Sequence, residues 1–356
     1  MIWDARVGRH VMKVSAVIPN RNDTVMLSVT VRSILEELKG VYGCSEIVIC
    51  DNSDDDIWAI MKKPNVSPLG VAYISQGKIK LVRQETPGLF AAREMAIEKS
   101  SGKYTVNFDS HVLCGRGSIS DLVDFMDADV DEKVGFAFRP IGWTNKHEMM
   151  ATGDIRPNDN GSVFGPWGRA YSKPTKISWH FGGYITRRKW FLDDLGGHGF
   201  FSDGTISWGG GEFYTAMKSW LFGKENWTIP TSPAYHIGPW SKEVTALSGI
   251  PYRVYSGSGN GKIGIGILAA FYALGGDEIK EYVRKNSLGL KVNHGIDIDR
   301  DWAEARRLAY KDRKFIDSNQ VISFRELLKT QPWMDGWGPD RWTDYKAVKQ
   351  WEANTL

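Results

Sequence analysis

Cysteine is the first thing this chain of 356 residues has little of: Cys44, Cys50 and Cys114 are its three, with no CxxC pair. An odd, unpaired set excludes a disulfide framework and points to a reducing compartment. Long apolar runs are missing as well. No stretch approaches the ~18 apolar residues of a membrane span, and the opening MIWDARVGRH lacks the apolar core of a signal peptide. The most apolar tract, Ile263 to Leu274, is too short and too glycine-broken to cross a bilayer. An excess of one charge is absent too. The 45 Lys+Arg against 42 Asp+Glu leave +3, too weak a field to make nucleic acid or an anionic membrane the main partner. Before residue 143 there is almost no tryptophan, only Trp3 and Trp58. A soluble, cytoplasmic protein is expected.

What is present suits a globular chain with a real core: 42% hydrophobic and 24% charged residues. The length fits one large α/β domain with an appendage, or two domains at most. The first 140 residues alternate strand and helix. Lys13 to Ile18 reads as a strand that Pro19 ends, and Thr24 to Lys39 as a helix with Asp23 at its N-cap. Ser45 to Cys50 and Ile79 to Arg83 are further strands. Thr86-Pro87 looks like a helix start running to about Lys99, and Lys103 to Phe108 is a fourth strand. Such alternation predicts a mostly parallel sheet with ligands at the strand C-termini, where Pro19, Asp51 and Asp109 sit.

The second half is less regular. Residues 140 to 176, rich in Gly, Pro, Asn and Trp, read as an irregular excursion. Ile177 to Thr186 is strand-like but interrupted by Gly182-Gly183; helices are expected at about Arg187 to Leu195 and Glu212 to Leu221, then a short strand to Ile229. Gly238 to Lys262 has the composition of a mobile loop. From Ile263 the chain is mainly helical.

Asp109-Ser110-His111 is the sharpest feature. At the end of a buried strand, side chains two residues apart project the same way, so an oxygen and a nitrogen ligand converge. That pair suits Mn²⁺ or a similar divalent ion bridging a diphosphate. An Asp capping a helix at Arg116 beside an incidental His fits the bare tripeptide better than a metal site does. His236 taken alone is a half-buried histidine, Arg93 a helix arginine pairing with Glu94 or Glu98, and Trp208 a core residue.

Spacing then adds information. VIPNRN (17–22), CDN (50–52), PGLFAAR (87–93), FDSH (108–111), FGG (181–183), WGGGE (208–212) and PAYH (233–236) occur in this order. Together they resemble the GT-A glycosyltransferases, and most of all the polypeptide N-acetylgalactosaminyltransferases, over about residues 13 to 262. The resemblance implies an α/β, Rossmann-like GT-A fold. Residues 1–262 would form the catalytic domain, with a nucleotide half (1–140) and a sugar and acceptor half carrying a mobile loop (141–262). Residues 263–356 would be a mainly helical extension. It implies a Mn²⁺-dependent enzyme moving a sugar from a UDP-sugar to a hydroxyl, with a protein Ser/Thr or a glycan as acceptor.

By the same resemblance Asp109, His111 and His236 bind the metal. Pro19 and Arg21 line the uridine pocket, and Asp51 accepts from the uracil N–H. Gly88 and Arg93 match the family's Gly-Leu-x-x-Ala-Arg, where the Arg approaches the nucleotide phosphates and its cation stabilises the departing diphosphate, and Ser110 belongs to the same donor-binding set. Gly182 and Gly183 let the backbone approach the donor sugar, and Trp208 flanks sugar and leaving phosphate. Two departures stand out. Where the family's WGG is followed by Glu-Asn, this chain has Gly211-Glu212; Glu212 then either replaces the missing sugar carboxylate or serves as the base of an inverting reaction. Pro239-Trp240 replaces a basic residue, whose phosphate contact falls to Lys242 or is lost. The family's membrane anchor and lectin domain are not visible in the sequence, which fits a bacterial or phage enzyme. Eight of the 15 tryptophans (Trp143, Trp167, Trp179, Trp190, Trp208, Trp220, Trp227 and Trp240) fall in the sugar half. Trp220 is expected to pack, and those in the irregular stretch and the loop to present sugar or peptide platforms.

Overall fold

The apolar runs of the first half become strands covered on both faces. The structure, a computed structural model, describes residues 2–4, 9–11, 13–38, 45–54, 78–85, 88–143, 149–152, 168–169, 173–180, 183–206, 209–236, 260–286 and 288–332. The strands are β1 (Ile2–Asp4), β2 (Arg9–Val11), β3 (Val14–Asn20), β4 (Ser45–Asp51), β5 (Ile79–Arg83), β6 (Tyr104–Asn107), β7 (Val112–Cys114) and β8 (Val134–Phe138). They continue with β9 (Ile141–Trp143), β10 (Met149–Thr152), β11 (Gly168–Arg169), β12 (Thr175–Lys176), β13 (Tyr184–Arg187), β14 (Glu225–Thr228) and β15 (Ala234–His236). The α-helices are α1 (Thr24–Leu38), α2 (Leu89–Lys99), α3 (Ser120–Ala128), α4 (Gly211–Leu221), α5 (Asn260–Gly275), α6 (Lys280–Asn286), α7 (Leu288–His294), α8 (Ile298–Asn319) and α9 (Phe324–Thr330).

The main sheet has the order β12-β14-β8-β13-β6-β3-β4-β5, with β6, β3, β4 and β5 mutually parallel and β13 running against both its neighbours. Period-two alternation sorts its side chains into two cores. Val14, Ala16, Ile18, Ile47 and Ile49 pack under α1 and α3, whereas Val17, Val48 and Cys50 face α2 and α4. The second core runs on into the helices after residue 260. Phe213 of α4 meets Phe271 of α5 with ring centroids 5.0 Å apart, and Phe271 meets Phe324 of α9 at 6.3 Å.

Several sequence expectations are corrected. β3 does not stop at Pro19: it runs through it to Asn20, with Pro19 opposite Cys50 and Asn20 opposite Asp51. Val17 accepts from Phe108 N, so Pro19, two residues on, directs its missing N–H to the β6 side, where that ladder has already ended. Residues 140–176 are not wholly irregular. They supply β9, β10 and β11, which join β15 and β7 in a second sheet of order β11-β10-β9-β15-β7, and β12 of the main one. Asn260 to Lys262, taken as loop, open α5; the rest of the Gly238–Lys262 stretch, including Lys242, lies outside the described residues. α2 starts at Leu89 with Gly88 at its N-cap, and Thr86-Pro87 lies outside the described residues.

The tryptophan surplus is partly core. Trp179 and Trp220 are buried, with Trp220 Nε1 donating to the Ile177 carbonyl, and Trp190 packs on Phe136 at 5.5 Å. Trp227 Nε1 donates to Glu225. Trp167, Trp208 and Trp240 lie outside the described residues. Because Phe271 is fully buried between aromatic neighbours from two helices, Phe271→Ala is expected to cost about 3–5 kcal/mol. A urea melt read by fluorescence checks this; a loss under about 1 kcal/mol contradicts the shared core.

Candidate active site

The site assembles at the C-terminal ends of β3, β4 and β6, where an open parallel sheet presents its loops to a ligand. β6 stops at Asn107, and Ser110-His111 lie in a turn, so the convergence of Asp109 and His111 comes from the turn rather than from alternation along a strand. The chain then enters β7, whose ladder with β15 sets His236 opposite Val112. That register brings the two imidazoles together. Their Nε2 atoms lie 3.1 Å apart and their rings are nearly perpendicular at 83°. Asp109 Oδ2 lies 3.8 Å from His236 Nε2. Ligand atoms of all three residues fall within 4.8 Å of one another. Two imidazoles and a carboxylate at this spacing fit a divalent cation of the Mn²⁺ kind, with positive charge left over for phosphate oxygens.

Beneath them lies a buried arginine. Arg93 of α2 is 1% exposed; its Nη2 donates to Asp109 Oδ1 at 2.5 Å and its Nη1 to Glu212 Oε1 at 2.7 Å. Glu212 is placed by the start of α4. Gly209 and Gly210 take φ of +93° and +83°, which only glycine adopts without strain, and turn the chain into the helix. Gly211 has no room for a side chain: a Cβ there would lie 2.3 Å from the Phe90 ring. The carboxylate absent from position 211 is thus excluded by packing. Glu212 is engaged by Arg93.

The charges follow from these contacts. Burial works to raise the Asp109 carboxyl, but Arg93, then His111 and His236, outweigh it and hold it down at about 2. Burial and then the neighbouring His111 lower His236 to about 4, so it is neutral at ordinary pH. Burial also disfavours the His111 cation, yet the Asp23 hydrogen bond and the charges of Asp109 and Asp23 raise its pKa above the usual histidine value.

The other predicted residues are spread around this centre. Asp51 is buried; its Oδ1 accepts from Asn20 Nδ2 at 2.9 Å and Ser53 Oγ at 2.6 Å, and its Oδ2 from Arg83 at 2.7 Å. The acceptor assigned to a uracil N–H is thus already engaged by three side chains. Arg21 reaches Asp54 at 3.8 Å, and Pro19 is buried beside it. Ser110 Oγ donates to Asp23 Oδ2 at 3.0 Å, and its carbonyl accepts from Thr30. Gly88 caps α2, where a Cβ would come within 3.1 Å of Gly204. Gly183, at φ +107°, leads into β13 with Asn107 O only 2.3 Å from where a Cβ would stand. Gly182 and Trp208 lie outside the described residues.

Sequence reasoning missed the supports. Asp23 was visible only as a helix cap, Glu94 only as a helix neighbour. Glu94 accepts from the His198 backbone at 2.6 Å and from its Nδ1 at 3.2 Å, while His198 Nε2 meets Tyr184 Oη at 3.0 Å. Arg139 is fully buried, 3.9 Å over the Phe108 ring, and burial lowers its pKa to about 10. These pairs join residues far apart in the chain, and no local pattern marks them.

The profile of glycosyl transferase family 2 matches residues 15–195, just over half of the chain. The chain belongs to that family. It is similar to the "Probable N-acetylgalactosaminyltransferase 7" of Caenorhabditis elegans, 24% identical over 362 residues, covering 95% of this chain and 56% of that protein. It is also similar to the "Putative polypeptide N-acetylgalactosaminyltransferase 13" of Drosophila melanogaster, 26% identical over 235 residues, or 63% of this chain and 41% of that protein. The chain thus spans about half the length of these animal relatives. The crystal structure of GalNAc-T7 with UDP, GalNAc and Mn2+ superposes with a TM-score of 0.63 at 20% identity, over 91% of this chain and 58% of that one. That likeness gives this family 2 member a GT-A fold, with a helical C-terminal part. Among the described residues, no helix is long and apolar enough to cross a membrane.

Two outcomes follow from the charge arrangement. Arg93→Met leaves two carboxylates without their buried partner and is expected to cost about 3–5 kcal/mol, part of which Glu212→Gln in the same chain restores. A thermal-melt cycle of both single variants and the pair measures this; strict additivity contradicts it. Because a ligating imidazole must be neutral, divalent-ion affinity should fall as pH drops through the raised His111 pKa, with a proton released per ion bound. Calorimetry in buffers of different ionisation enthalpy reads that proton, and its absence at mildly acid pH contradicts the assignment.

Proposed function

We propose that this chain is a metal-dependent glycosyltransferase that moves a sugar from a UDP-sugar to an acceptor hydroxyl, with Ser or Thr of a protein as acceptor and with retention at the anomeric carbon. The observation that carries this reading is the convergence of Asp109, His111 and His236 above the Arg93 guanidinium. Those three residues would hold the cation. When bound, it supplies positive charge that offsets the charge growing on the departing diphosphate. Arg93 keeps Asp109 ionised and oriented, a positioned electrostatic arrangement of the kind that dominates such reactions. Pro19, Arg21 and Asp51 would receive the uridine at the ends of β3 and β4. Gly88, Arg93 and Ser110 would border the phosphates, and Gly182, Gly183 and Trp208 the sugar.

Glu212 bears on the stereochemistry. Its tie to Arg93 favours a positioning role over that of a free general base, which supports retention over an inverting transfer to glycan or lipid. Gly211 argues that the donor sugar meets a different surface here than the family pattern of WGG followed by Glu implies. The relatives' N-acetylgalactosamine is therefore one candidate among several hexoses and N-acetylhexosamines. The division into a catalytic unit (1–262) and a helical extension (263–356) is part of the same proposal. The free thiols of Cys50 and Cys114 support a cytoplasmic setting.

UDP release from a panel of UDP-sugars, with and without Mn²⁺, tests the reading. Release should need the ion and fall about 100-fold or more in His236→Ala and Asp109→Ala. Metal-dependent release that survives Asp109→Ala contradicts the site. No release with any donor favours a sugar-binding protein of the same fold. Mass spectrometry of acceptor proteins for added hexose or N-acetylhexosamine identifies the acceptor class.

A further inference from the structure

One face of α1 grips the turn that carries the proposed ligands. Asp23 Oδ2, just before the helix, accepts from Ser110 Oγ and from His111 Nδ1, both at 3.0 Å. A turn and more along, Thr30 Oγ1 donates to the Ser110 carbonyl at 2.8 Å. Ser33 Oγ then accepts from Cys114 N at 3.1 Å, and Glu37 accepts from Gly117 N at 3.1 Å and Ser118 N at 3.2 Å. Positions 23, 30, 33 and 37 follow helical spacing, so a single polar stripe meets successive groups from residue 110 to residue 118. Three of the four side chains, Thr30, Ser33 and Glu37, bond to backbone and brace the turn. The contact from Asp23 to the His111 ring differs, because it acts on an imidazole whose other nitrogen faces His236 and Asp109.

We propose that Asp23 is a positioning residue for the metal site: it fixes His111 as the Nδ1–H tautomer and aims the Nε2 lone pair at the position shared with Asp109 and His236. This rests on the metal-site reading above. An ionised carboxylate only accepts, so Nδ1 must carry the proton; the neutral ring then has its lone pair on Nε2. The hydrogen bond also stops the ring from turning and makes Nε2 more basic, as a carboxylate behind a metal-bound imidazole does elsewhere. Geometry points the same way. The Asp23 and His111 side chains are each under a third exposed, and Ser110 Oγ donates to the same Asp23 oxygen, holding it toward the ring.

The test pairs a metal titration with a measurement that needs no metal. Nitrogen-15 NMR of the full chain, at a pH above the His111 titration, should show His111 of the wild type protonated on Nδ1. Asp23→Ala should shift it toward the Nε2–H form, whereas Thr30→Val, which cuts another tie from α1 to the same turn, should not. Mn²⁺ titrated by electron paramagnetic resonance should bind about 10- to 100-fold more weakly to Asp23→Ala, with Asp23→Asn between it and the wild type. A wild-type His111 protonated on Nε2 overturns the proposal, and that observation requires no variant to fold. Equal Mn²⁺ affinity in wild type and folded Asp23→Ala overturns it as well. If the wild type binds no Mn²⁺ while the tautomer is as stated, the metal-site reading fails and the positioning of His111 stands.

Discussion

The buried guanidinium of Arg93 is the constraint around which the site is organised. It joins α2 to the turn after β6 through Asp109, and to the start of α4 through Glu212. Removing an arginine from water is costly unless its charge and its donors are met, and two carboxylates from separate segments meet them here. The arrangement requires both segments to come close. Gly211 allows that approach because its Cα lies against Phe90, and Phe90 in turn packs beneath the Arg93 guanidinium at 5.4 Å. The glycine at position 211 and the ion pair that engages Glu212 are therefore parts of one local solution.

Two sheets share the remaining work. The main sheet delivers Asp51, Arg93 and Asp109 at or beside its strand ends, and the smaller sheet delivers His236 by pairing β15 with β7. A ligand set assembled from two sheets is well fixed along the direction of the ladders, yet its rings remain free to turn. The face of α1 takes up that freedom, with Asp23 behind His111 and Thr30, Ser33 and Glu37 on the backbone. On the far side, Glu94 and His198 carry a second buried set of hydrogen bonds that steadies the same helix α2.

Much of this was legible in the sequence, for identifiable reasons. Parallel strands such as Ser45–Asp51 are uniform apolar runs between turn residues, and they read correctly because burial on both faces dictates the pattern. Ordered short motifs located Asp109, His111 and His236 before any coordinates. The limits were equally physical. β7, β9 and β15 are three residues each, too short for any periodicity, and the pairing that unites His111 with His236 spans 125 residues. Pro19 misled because its effect depends on which side of β3 is still paired. Asp23 showed only its local role as a cap, since its partner lies 88 residues away. Tryptophan count suggested a binding surface, whereas Trp179 and Trp220 were needed inside.

On the proposed reading, Asp109, His111 and His236 hold a divalent cation that receives a nucleotide diphosphate. Anomalous diffraction at the manganese edge, from crystals grown with Mn²⁺ and UDP, tests it most directly. One strong peak is expected, bounded by Asp109, His111 Nε2 and His236 Nε2, with the UDP phosphates on its open side. A peak elsewhere, or UDP bound while the two imidazoles keep their direct Nε2 contact, would contradict it.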